Sequence, residues 1–89
     1  MYVHGMSEYL GTCLLIGSIA FTSNPLFVVA AFAIAIGLGK NVSGAHFNPA
    51  VTLWSYLSGK IGAARAMEHT IAHVAAALTI WGVHSMIKV

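Results

Sequence analysis

The chain has 89 residues, 58% of them apolar and 7% charged, and its net charge of +2 rests on four cations and two anions. An average soluble domain carries roughly 25% charged residues, so this chain has too little polar surface for a small globule in water and reads as one membrane-embedded, all-helical domain. Four cations make a poor nucleic-acid surface, and the single Cys13 excludes an internal disulfide and a cysteine-based zinc pattern.

The opening MYVHGMSEY lacks the basic start and cleavage site of a signal peptide, so the first apolar run is expected to stay in the protein. A first helix is expected over about 7–21, with Ser7 as its cap and Glu8 near the positive end of its dipole. At ~1.5 Å per residue it would measure roughly 23 Å, short of a ~30 Å hydrocarbon core. Glu8 is costly in a membrane helix unless it faces protein, water or a partner, or sits at the interface as part of the cap; its position alone leaves both readings open. Thr22-Ser23-Asn24-Pro25 is a turn, with Asn24 as cap and Pro25 opening a second helix over about 25–39. Ala30, Ala31, Ala33, Ala35, Gly37 and Gly39 permit close approach of a neighbouring helix, and Lys40-Asn41 is expected to end it at a membrane surface.

Residues 42–58 form the stretch around which the rest is arranged. Asn48 is a strong N-cap and Pro49 suits the first helical position, where no N–H is needed. The apolar run that follows stops at Ser58-Gly59-Lys60, with Gly59 as the C-terminal cap. Ten residues give roughly 15 Å of helix, half a hydrocarbon core. Such a segment fits a re-entrant half-helix whose irregular lead-in, 42–47, is covered by protein or lines a polar cavity. A last helix is expected over about 63–86. His69 and His73, four residues apart, share one of its faces at a spacing compatible with metal binding, but no further ligand stands at useful spacing and no metal is expected. Helix–helix hydrogen bonding or a place on an aqueous wall suits them better, while Ala72, Ala75, Ala76 and Ala77 offer a packing surface.

The expected plan is three transmembrane helices plus one re-entrant half-helix carrying Asn-Pro-Ala. Lys40, Lys60 and Arg65 then lie on the side of the N-terminus and Lys88 alone on the other, so the N-terminus and re-entrant loop are expected to be cytoplasmic.

The stretch SGAHFNPAVT resembles the first re-entrant loop of the aquaporin, or major intrinsic protein, family. Glu8 with Gly11-Thr12, Gly59 after the half-helix, and Ala72, His73, Ala76 and Ala77 in the last helix resemble that family in the same order. The resemblance runs over the whole chain but covers only the first of the family's two inverted repeats, so the domain is expected to be a single half-repeat, an aquaporin-like hemi-channel. It implies that two such half-helices meet at mid-membrane, that their asparagines donate to passing water or a polyol, and that the paired dipole ends repel cations and protons. By the resemblance, Gly44, Ala45 and His46 offer carbonyl acceptors along a pore, Asn48, Pro49 and Ala50 form its centre, and Glu8 braces the loop. No cofactor is implied.

Three departures accompany the resemblance. Val51 stands where the family's second loop has an arginine, the second-helix filter position falls on Val28 or, with a gap, on Phe32, and His73 replaces a glutamine as a candidate pore or pH-sensitive group. The missing half is expected from a second half-chain, as an antiparallel homodimer or a complementary half, with four pores and eight chains if the family's assembly carries over. The three-to-one cation bias favours the complementary half. Competing readings are a non-conducting subunit that packs onto full-length relatives, and a metal or proton carrier using Glu68, His69 and His73. An enzyme is not expected, because one Cys, scattered His and two Glu assemble no nucleophile, base and orienting group.

Overall fold

The computed structural model describes the backbone of residues 2–87 and the side chains of 3–87. All regular structure among them is helical: α1 (Tyr2–Phe21), α2 (Pro25–Ser43), α3 (Pro49–Leu57) and α4 (Ala63–Ile87). Lys88, the lone cation expected on the far side, lies outside the described residues.

Two helix boundaries differ from expectation, both for tertiary reasons. α1 starts at Tyr2, five residues before Ser7, so Ser7 is not a cap and Glu8 sits in the second turn. The extra turn is held by packing: His4 Nδ1 donates to the Val42 carbonyl at 2.5 Å, and Gly5 lies against the Glu68 side chain. At 20 residues α1 measures about 30 Å, which removes the expected shortfall. α2 runs past Lys40-Asn41 to Ser43 and ends where Gly44 takes a left-handed conformation (φ +90°), its N–H bonded to the Lys40 carbonyl. The irregular lead-in is therefore shorter than 42–47 and starts at Gly44. α3 is closed by Ser58, followed by Gly59 at φ +77°.

α1 packs antiparallel to α2, since His4 bonds Val42 while Gly11 and Gly39 meet the same Phe47 ring, and parallel to α4, since Gly5 meets Glu68, Tyr9 bonds Thr79 and Phe21 meets His84 edge-on in rising order. α1 packs on both α2 and α4, and α3 packs on α4. Small residues four apart, Ala31, Ala35, Gly39 and Ser43, form the buried stripe of α2, whereas Ala30, Ala33 and Gly37 face outward. In α4 the buried stripe is His69, Ala72, His73 and Ala76, while Ala77 is exposed.

The distribution of polarity is reversed relative to a soluble bundle. Glu8, Thr12, Ser43, Thr52, Ser55, His69 and His73 are buried, while Leu26, Leu38, Leu57, Trp81 and many other large apolar side chains face out. α2 and α4 are each long and apolar enough to cross a membrane, and only 22% and 17% of their apolar windows are buried, the opposite of a soluble core helix. A surface of this kind is stable against lipid and costly in water.

Candidate functional site

The polar interior is organised on one carboxylate. Glu8 Oε1 accepts from the Phe47 N–H at 2.8 Å and from His73 Nε2 at 2.6 Å; Oε2 accepts from the Ser43 hydroxyl at 2.5 Å and the His46 N–H at 3.1 Å. Four donors from α2, the lead-in and α4 thus converge on a side chain with no solvent exposure. A buried carboxylate is tolerated when its lone pairs are filled by such donors. His69, also fully buried, donates from Nε2 to the Ser43 carbonyl at 2.9 Å, and His46 Nδ1 pairs with Thr52 Oγ1 at 2.8 Å.

These bonds fix a strained backbone. Ala45 (φ +55°) and Phe47 (φ +54°) are both left-handed, a conformation that costs a residue with a Cβ roughly 1–2 kcal/mol. Phe47 is anchored as well by its ring, which is buried against Gly11 and Gly39. A Cβ at Gly11 would overlap that ring. The Gly11 position is thus explained by an aromatic side chain from the loop.

After this lead-in, Asn48 starts α3, its side-chain oxygen accepting from Ala50 N at 2.7 Å with Pro49 in the first helical position. Asn48, Pro49, Ala50 and Val51 are exposed, and the Asn48 NH2 group has no partner among the described residues. At the N-terminal end of α3 lies an open groove of about 310 Å³ between α1 and α4, lined by Thr12, Ile16, Asn48, Pro49, His73 and Ala77 among others. Two of its buried polar atoms, Thr12 Oγ1 and His73 Nδ1, have no hydrogen-bond partner among the described residues.

The structure brings together Glu8, Gly44, Ala45, His46, Asn48 and His73. Val28, half-buried, and Phe32, exposed, lie on α2 and do not line the groove beside Asn48. Sequence reasoning missed the parts played by Ser43, Phe47 and Thr52, whereas the helix–helix hydrogen bond expected of His69 is its bond to Ser43 of α2. No local signal existed for Phe47, whose partners Gly11 and Gly39 lie in α1 and α2.

A bundle with a polar interior, an apolar exterior and two helices long and apolar enough to cross a membrane is an α-helical membrane protein. The chain belongs to the Major intrinsic protein family, whose model matches residues 4–88. It is similar to Aquaporin TIP1-2 of Musa acuminata, with 41% identity over 44 residues, which make up 49% of this chain and 18% of that relative. Probable aquaporin TIP1-2 of Oryza sativa subsp. japonica is 36% identical over 44 residues, again 49% of this chain and 18% of the relative. The chain thus matches less than a fifth of the length of these curated relatives. No solved structure matches it. The family is one of channels, not enzymes.

Proposed function

We propose that the chain forms one half of a passive membrane channel for water or small neutral solutes such as glycerol. α1, α2 and α4 cross the bilayer and α3 dips in from one side as a re-entrant half-helix. The observation that carries this reading is the exposed Asn48 at the tip of α3, with its oxygen used by the cap and its NH2 group left to donate. Glu8 braces the lead-in, and Gly44, Ala45 and His46 supply the acceptor carbonyls beside it. The open groove next to Asn48, with Thr12 Oγ1 and His73 Nδ1 unpartnered, supports completion by a second half-repeat of opposite orientation. Two helix N-termini then face each other and their positive dipole ends repel cations and protons. That second half is a copy inserted the other way or a complementary half, and the clustering of Lys40, Lys60 and Arg65 toward one side favours the latter, with that side cytoplasmic.

Stopped-flow shrinkage of proteoliposomes, first in sucrose and then in glycerol, tests the channel. Rates above those of protein-free vesicles are expected whenever both halves are present; lipid-control rates would leave the chain as a non-conducting subunit. Labelling of single cysteines near each end in intact cells separates the two modes of pairing, since a homodimeric pore requires both orientations.

A further inference from the structure

We infer that Glu8, His46 and His69 form a binding site for a divalent transition metal ion of the Zn2+ class. The three residues come from α1, the lead-in and α4, and each offers a ligand atom within 4.8 Å of the others. Two imidazoles and one carboxylate are the donor set suited to Zn2+, with a fourth position left for water. Zn–N and Zn–O bonds of about 2.0–2.2 Å place tetrahedral ligand atoms roughly 3.5 Å apart, so the widest edge closes by little more than about 1 Å. His46, half-buried where Glu8 and His69 are fully buried, is the ligand through which an ion from outside reaches the site.

Some of the surrounding hydrogen bonds already orient the ligands, and others exchange when the ion binds. Glu8 Oε1 is taken up by Phe47 N–H and His73, while Oε2, which accepts from the Ser43 hydroxyl and the His46 N–H, lies 3.9 Å from His69 Nε2. His46 pairs through Nδ1 with Thr52, which leaves Nε2 as its ligand atom; such outer partners fix the ring of a metal-ligating histidine. His69 gives up its bond to the Ser43 carbonyl, and its proton moves to Nδ1, which has no present partner. The Ser43 hydroxyl, displaced from Oε2, retains Ser7 Oγ at 3.2 Å. The bound ion ties α1, the lead-in and α4 together at one point.

The test is titration of the tag-free 89-residue chain in detergent micelles with Co2+, read by its visible ligand-field bands, followed by displacement with Zn2+. One ion per chain, with the intense spectrum of a four-coordinate site, is expected. His46→Ala lowers the affinity by more than about 10-fold, and His69→Gln does the same. His4→Gln and His84→Gln leave it unchanged. Circular dichroism monitors folding of each variant; if His69→Gln unfolds, the loop variant His46→Ala decides alone. Absence of stoichiometric binding, or unchanged affinity in a folded His46→Ala chain, overturns the site.

Discussion

The molecule contains the same capping device twice, in different surroundings. Asn24 accepts from Leu26 N at 2.9 Å with Pro25 following, and Asn48 accepts from Ala50 N at 2.7 Å with Pro49 following. Before Asn24 the chain makes a polar turn, in which Thr22 Oγ1 accepts from the Asn24 N–H. Before Asn48 it passes through Gly44, Ala45 and Phe47 in left-handed conformations, held by Glu8 and by the ring of Phe47. The first cap opens a helix long enough to span a bilayer; the second opens one of nine residues, about 14 Å. Capping chemistry starts a helix in both places, but only the strained and braced entry holds a short helix with its asparagine exposed inside a membrane-type bundle.

The comparison is broken most severely at Glu8. Glu8→Ala strands the Ser43, His46, Phe47 and His73 donors, with an expected loss of about 3–5 kcal/mol in denaturation measured in micelles. Proteolysis within 44–48 should rise with it, while cleavage in the Thr22-Asn24 turn stays as in the parent. A parent-like melting curve would show that the loop holds without its carboxylate.

Next comes the aromatic anchor. Gly11→Ala drives a methyl into the Phe47 ring and is expected to cost about 1–3 kcal/mol, as overpacking does. At Gly37, where a Cβ meets nothing, the same change is expected to stabilise by about 0.4–1 kcal/mol. Equal melting shifts at the two glycines would refute the anchoring argument.

The smallest stability effect gives the sharpest contrast. Asn24→Ala and Asn48→Ala each remove one cap bond, so both are expected to cost about 1 kcal/mol. Vesicle shrinkage should separate them: permeability falls in Asn48→Ala and is retained in Asn24→Ala. Parent-like flux in Asn48→Ala would place the permeation path elsewhere.

Composition, caps and small-residue runs determined much by themselves. Too few charges for a soluble globule, a start at Pro25 and Pro49, and a stop at Ser58-Gly59 are all local properties, readable because capping and helix termination involve residues only a few positions apart. The family resemblance of the loop was legible for the same reason, as a contiguous stretch. Local signals failed at Ser7, which has the chemistry of a cap but lies inside a helix extended by His4 bonding to Val42, 38 residues away. They also left Glu8 undecided between interface and interior, because its four donors come from three separate segments. Only the tertiary structure turned Gly11 and Gly39 into a seat for Phe47, and placed His46 and His69 beside the carboxylate of α1. The physical reason is that a buried polar group is stable only where distant backbone and side-chain donors converge on it, and that convergence is a property of packing, not of spacing along the chain.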